Sequence, residues 1–306
     1  MEGSDSSQSP WANMEYDVLV KIFMTLNLMD LVYGVAGVCQ SWRAAAHDPL
    51  LWEKIDFTSS SSHPIIARRV SYWADMHSRL RFKQMLKTIA KFSGDAVTRL
   101  YFSFYIYVDD KHITYATKRF PNIKWLALPG WNNINETTFI RSLAGWRNLE
   151  SITFPSICSP TSVMKFLGEH CQNFTKLKMI HTFDYSCAEA VVNLLPNLKV
   201  LSLRSSIVYK DALYHLVEHA PSLLALNVAH CLVFELDELP TYRMNIRPVM
   251  EKEVTEMAKR LEKVIWCDRR TCPRCNRTFV NGQGGNSWLE FQQEIWRDDE
   301  FADFAM

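Results

Sequence analysis

A hexapeptide pattern that returns six times constrains this chain more than any other feature. The copies are 97–102 (VTRLYF), 123–128 (IKWLAL), 149–154 (LESITF), 177–182 (LKMIHT), 198–203 (LKVLSL) and 223–228 (LLALNV). All carry a large apolar residue at positions one and four, and position six is apolar except in the fourth copy, where it is Thr182. The central residues Leu100, Leu126, Ile152, Ile180, Leu201 and Leu226 lie 26, 26, 28, 21 and 25 residues apart. Between them run helical stretches at 110–120, 136–146, 162–171, 187–195 and 211–220. Three of these stop at Pro121, Pro196 and Pro221, where proline cannot continue a helix. Each unit is thus a strand plus a helix. One unit cannot bury its apolar face alone, so neighbours must stack and share a core.

Strand–helix alternation by itself would also fit an unrelated parallel α/β fold. The recurring apolar spacing favours a solenoid, and its period falls in the leucine-rich-repeat range of about 20–29 residues. Upstream, Thr58, four serines and His63 ending at Pro64 read as a linker. Phe82, Met85, Leu86 and Ile89 then fall on one face of a helix that Ser93-Gly94 ends. Seven Lys/Arg against one acid in 65–94 read as its solvated face, and six acids against one Arg mark 288–306. The net charge of +1 gives no global attraction for nucleic acid or acidic lipid. The polar start carries no secretory signal, and 31–39, the longest nearly apolar stretch, is about half a membrane span. Of eight cysteines, Cys39, Cys158, Cys171, Cys187 and Cys231 sit in apolar patterns and read as buried small hydrophobes in a reducing compartment, nucleus or cytoplasm.

Residues 11–56 hold three short helical patterns. Val18, Leu19, Ile22, Phe23 and Leu26 make an apolar stripe, with Asp17 near its start. Asp30 reads as an N-cap before Leu31, Val32, Val35 and Val38; Cys39, Trp42 and Ala45 come next. So much apolar surface on so short a block implies that another protein covers part of it. The motifs Asp17-Val-Leu-x-x-Ile-Phe, Asp30-Leu31, Val38-Cys39-Gln-Ser-Trp42-Arg43 and Asp48-Pro49-x-Leu51-Trp52 resemble the F-box in order and spacing, with Met14-Glu15 where that family has Leu-Pro. The whole chain is similar to plant F-box/LRR-repeat proteins with few repeats.

That resemblance implies an α/β architecture. A disordered tail (1–10) leads to a three-helix F-box (11–56), a linker with a basic helix (57–94), about six leucine-rich repeats (95–235) and a C-terminal cap (236–306). It also implies a non-catalytic substrate receptor of a Skp-cullin-F-box ubiquitin ligase, its F-box docking on a Skp adaptor and its repeats holding a protein target. The implied adaptor face is Met14, Val18, Leu19, Ile22, Phe23, Leu31, Val38 and Trp42. Internal contacts are the competing reading for each of these, and the preferred one for Trp42 and Leu26. An interaction scaffold without ligase activity, or a zinc-dependent nucleic-acid binder, are the alternatives.

Strand side chains alternate, so residues flanking the core leucines would line a concave face. These are Arg99, Tyr101, Trp125, Ser151, Thr153, Met179, His181, Val200, Ser202, Arg204, Ala225 and Asn227. The mixture of aromatic, small and polar groups suits a protein partner better than a phosphate-rich ligand. Cys267, Cys272 and Cys275 form C-x4-C-x2-C, the way a zinc knuckle begins. No Cys or His comes after them, so a fourth ligand would have to be His230 or Cys231. Reduced thiols in a capping segment, with no cofactor, are the expectation. Asn281-Gly-Gln-Gly-Gly reads as a flexible loop without a P-loop lysine. No nucleophile elbow, His-Glu-x-x-His or dinucleotide fingerprint occurs, and no catalytic role is expected.

Overall fold

Three short helices open the structure, a computed structural model that describes residues 10–57, 76–103, 106–129, 132–154, 160–180, 182–236, 244–268, 270–272 and 275. In α1 (Tyr16–Phe23), Leu19, Val20 and Phe23 turn inward, as a helical apolar stripe requires. Asn27 caps α2 (Leu28–Tyr33), accepting from the N–H groups of Met29 and Asp30 at 2.9 and 3.0 Å. Asp30, expected as the cap, lies one turn further in and instead accepts from Asn27 Nδ2 at 2.6 Å. Its carboxylate there still favours the helix dipole. In α3 (Gln40–Ala45), Trp42 meets the Phe23 ring edge-on at 5.2 Å and donates to the Trp11 carbonyl at 2.9 Å. Arg43 Nε donates to the Ala36 carbonyl at 2.9 Å, fixing the α2–α3 connection.

The Asp48-Pro49-x-Leu51-Trp52 motif joins this bundle to the sheet and to the long helix beside it. Asp48 caps its turn through the Leu50 N–H and accepts from Tyr16 Oη, both at 2.9 Å. Trp52 is fully buried, donates to the Ala46 carbonyl at 2.7 Å and stacks on Phe92 of α4 (Met76–Ser93). Phe82, Met85, Leu86 and Ile89 are the buried face of α4, and Gly94 takes φ +52° just past its end, a conformation glycine adopts without steric cost.

Directly after Trp52 the chain enters β1 (Lys54–Asp56), the first strand of an eight-stranded parallel sheet. Its strands lie in chain order. β2 (Arg99–Tyr101), β4 (Trp125–Ala127), β6 (Ser151–Phe154), β7 (Lys176–Met179), β8 (Val200–Ser202), β10 (Ala225–Asn227) and β13 (Lys263–Ile265) succeed β1 across it. Between β2 and β10 the intervening helices are α5 (Asp110–Arg119), α6 (Glu136–Leu143), α7 (Pro160–His170), α8 (Tyr185–Leu194) and α9 (Lys210–His219), each packed on the next. All five coincide with the helical stretches read from sequence to within a few residues.

The register brings Ile55, Leu100, Leu126, Ile152, Leu177, Leu201 and Leu226 into one buried row. The member from the fourth copy is Leu177, three residues before the expected Ile180. From Ile152 to Leu177 is 25 residues and on to Leu201 is 24, so the spacing is more even than 28 and 21. Met179 consequently pairs with Phe154 and is core, not part of a polar face. The apolar run Leu177-Lys-Met-Ile offers two frames, and only pairing with β6 selects one.

A parallel pair, β3 (Val108–Asp109) with β5 (Asn132–Asn133), extends the turns after β2 and β4. Further on, β9 (Ile207–Tyr209) and β11 (Leu232–Leu236) pair in parallel, and β12 (Met244–Pro248) closes on β11 antiparallel. Helix α10 (Glu251–Ala258) leads back to β13. A single apolar core runs from Leu19 to Leu261. No described helix is long and apolar enough to cross a membrane.

Candidate functional site

The first surface of interest is the outside of the opening bundle. Fourteen large apolar side chains stand exposed among the described residues, and seven of them (Trp11, Tyr16, Val18, Met24, Tyr33, Val38 and Leu50) belong to the stretch 11–50. Half of the exposed large apolar side chains thus lie on this one short segment. Of the residues assigned to the adaptor face, Val18 is 43% and Val38 57% exposed. Met14, Ile22 and Trp42 are partly buried against the core. Leu19, Phe23 and Leu31 lie inside the bundle, where the helical period turns them towards α3 and the succeeding chain. Trp11, Tyr16, Met24, Tyr33 and Leu50 are also exposed, and none of them belongs to the face that the resemblance implies.

The second surface is the sheet face opposite the leucine row. Arg99 is exposed and Trp125 half-buried, with the Arg99 guanidinium 5.7 Å and the Lys176 ammonium 4.5 Å from the Trp125 ring. Burial lowers the Lys176 pKa, and Glu150 partly opposes that. Tyr101, Thr153, Met179, Ser202, Arg204 and Asn227, expected on an open face, are each buried in the folded chain. Part of the reason is local. The strands are three or four residues long, and the turns after them reach back: Asn227 Oδ1 accepts from the Ala229 N–H at 3.0 Å. His181 lies outside the described residues. The frame shift of β7 also brings in two cations absent from the expected face, Lys176 beside Ser151 and the fully buried Lys178 beside Thr153.

A third constellation sits where the strands at the far end of the sheet meet. His230, in the turn after β10, and Cys267, Cys272 and Cys275, after β13, bring their ligand atoms within 4.8 Å of one another. His230 Nδ1 lies 3.0 Å from Cys275 Sγ, 3.2 Å from Cys267 Sγ and 3.7 Å from Cys272 Sγ, and the Cys267 and Cys275 sulfurs are 3.7 Å apart. The hydrogen bond with Cys275, together with His230, draws the Cys267 thiol down to about 4 against the cost of burial. Cys275 moves the opposite way for the same reason, since the two sulfurs share one proton. Cys231, the other residue weighed as a fourth ligand, instead donates to the Leu203 carbonyl at 2.9 Å in the core. Burial raises Cys171 and Cys187 to about 11, as expected of inert core thiols. Cys39 is only half-buried, and Cys158, the 281–285 loop and the acidic 288–306 stretch lie outside the described residues.

Comparison with known proteins agrees with the bundle and with the chain as a whole. Residues 16–58 match the F-box-like family model. The F-box/LRR-repeat protein At3g48880 of Arabidopsis thaliana is 32% identical over 294 residues, 95% of this chain and 95% of that protein. The F-box protein SKIP1 of the same plant is 24% identical over 56% of this chain and 55% of its own length. A crystal structure of a Bacteroides fragilis protein superposes on 60% of each chain with a TM-score of 0.38 at 12% identity, too distant to carry any argument. The F-box-like segment at one end, and one-third identity sustained across nearly the full length of a plant relative, place this chain in the F-box/LRR-repeat protein family.

Proposed function

We propose that the chain is the non-catalytic substrate-recognition subunit of a Skp-cullin-F-box ubiquitin ligase. In this reading the opening bundle docks on a Skp adaptor, and the strand–helix units form a short leucine-rich-repeat solenoid that holds a protein target. The observation that carries the reading is the coincidence of the F-box-like match with the densest exposed apolar surface among the described residues. On the sheet face, the Arg99–Trp125–Lys176 group supplies an aromatic flanked by cations, an anchor type favoured at protein interfaces. It suits a target segment that presents carboxylates beside an apolar side chain.

The test is co-expression of the full chain with a Skp-family adaptor and a cullin, then affinity capture. The wild type should retain both. Val18→Glu combined with Val38→Glu places two carboxylates on exposed positions of the bundle and should cut adaptor recovery at least about tenfold, a cost of about 1.4 kcal/mol, without lowering the melting temperature. Leu224→Glu, exposed but remote from the bundle, should leave recovery unchanged. A wild-type chain that retains no Skp adaptor would sink the proposal. One feature favours the scaffold reading as a second: Met14-Glu15 stands where the F-box family has Leu-Pro. A captured target with neither adaptor nor cullin would establish that reading instead.

A further inference from the structure

We infer that His230, Cys267, Cys272 and Cys275 form a closed structural zinc site that pins the segment after β13 to the turn after β10. This is independent of the adaptor reading. The first argument is size. Tetrahedral zinc with Zn–S bonds of about 2.3 Å and a Zn–N bond of about 2.0 Å requires S···S edges of about 3.8 Å and S···N edges of about 3.5 Å. The S···S edge between Cys267 and Cys275 is 3.7 Å, and the three S···N edges are 3.0, 3.2 and 3.7 Å. A disulfide needs sulfurs about 2.0 Å apart, so none of these contacts is one.

Backbone geometry supplies the second argument. His230 has φ +61°, a left-handed conformation that a non-glycine residue adopts at a cost and that marks functional positions. In this conformation its ring faces all three sulfurs while its own N–H donates to Cys267 Sγ at 3.2 Å. N–H donation to a ligand sulfur is the outer-shell support that thiolate–metal sites use. The turn at 268–272, closed by the Thr271 and Cys272 N–H groups on the Asp268 carbonyl, carries the second cysteine back towards the first.

The donor set decides the metal class. Three sulfurs and one imidazole select a borderline-soft ion and exclude calcium or magnesium, and four protein ligands leave no open position for chemistry. Three thiolates on a divalent ion leave one net negative charge, and in the sequence the cysteines are interspersed with Arg269, Arg270, Arg274 and Arg277. Metal on Nδ1 leaves the imidazole proton on Nε2. The Arg204 guanidinium, now 3.2 Å from Nε2, would then face another donor and must turn aside. The consequence for the fold is a staple at the far edge of the sheet, where β13 has one strand neighbour only among the described residues.

The full-length chain, purified untagged under reducing conditions from zinc-supplemented cells, is assayed for metal by mass spectrometry and for thiols by alkylation. The expectation is about one zinc per chain, with three of the eight cysteines becoming open to alkylation only when a chelator is added. Cobalt exchanged into the site should give the visible absorption of a tetrahedral thiolate–imidazole complex. Cys272→Ser should lose most of the metal, His230→Cys should keep it with a changed cobalt spectrum, and Cys39→Ser should keep it unchanged. Wild-type occupancy below about half a zinc per chain, or full occupancy in the Cys267→Ser, Cys272→Ser double variant, overturns the proposal. Should a variant fail to fold, the wild type still decides. Zinc release on thiol modification must track loss of three thiols, and release without that loss overturns the site.

Discussion

Arg247 shows how much one side chain can carry. Its guanidinium reaches Glu235 at 3.0 Å and Glu253 at 2.6 Å, and Glu235 is paired a second time with Lys210. Three elements, β11, β12 and α10, meet at this group. Burial pushes the Glu253 carboxyl up, but hydrogen bonds from Arg247 and the Met250 N–H outweigh it, and the carboxyl ends below its ordinary value. Glu235 is held low chiefly by its hydrogen bond with Lys210. A depressed carboxyl stabilises the fold above its unfolded-state value, and that stability is lost as pH falls through the folded-state value. Arg247→Gln should therefore cost about 3 kcal/mol at neutral pH, because it strands a buried carboxylate. The gap between variant and wild type should close as pH falls below the ordinary carboxylate range. Urea unfolding across pH measures this, and a pH-independent gap would refute it. Nothing in local sequence announces the network, since its members are up to 43 positions apart.

At the scale of elements, α7 and α8 approach more closely than side chains normally permit, and Gly168 is the reason. A Cβ there would fall 1.8 Å from the Leu194 carbonyl oxygen. In an exposed helix, Gly→Ala is worth up to about 1 kcal/mol in favour of alanine. Here the new methyl meets the neighbouring backbone, which cannot rotate away, and overpacking costs about 1–3 kcal/mol. Gly168→Ala should thus lower the melting temperature rather than raise it, a sign that thermal unfolding reads directly. The strands teach a related lesson. Five of six had the right central residue from apolar spacing alone, and the fourth slipped by three because two apolar residues competed for one slot. Even spacing between units would have separated them. Placing Met179 on the open face came from that slip, as did the omission of Lys176 and Lys178.

For the molecule as a whole, the continuity between bundle and sheet matters most. β1 pairs with β2 in register, Lys54 to Arg99 through Asp56 to Tyr101, and Phe57 packs against Phe82 and Phe102. The F-box-like segment thus also supplies the first strand of the sheet. A chain beginning at residue 76 would expose the edge of β2 and the ring faces that Phe57 covers. It should self-associate or melt well below the full chain, in size-exclusion chromatography and thermal unfolding respectively. A truncation as monomeric and stable as the full chain would show that the joint contributes little.

The amino-acid sequence by itself determined the elements. Apolar period, proline stops and the F-box motifs located the bundle, α4 and helices α5 to α9, though not α10, because those signals are local and act within a few turns of chain. What only the tertiary structure decided were relationships between distant residues. These include the frame of β7, the enlistment of β1 and β13 into the sheet, the burial of most of the expected open face, and the choice of His230 over Cys231 beside the three terminal cysteines. Each depends on pairing or packing between segments tens of residues apart, and a one-dimensional pattern carries no term for which of two equally apolar or equally ligating residues the fold will turn inward.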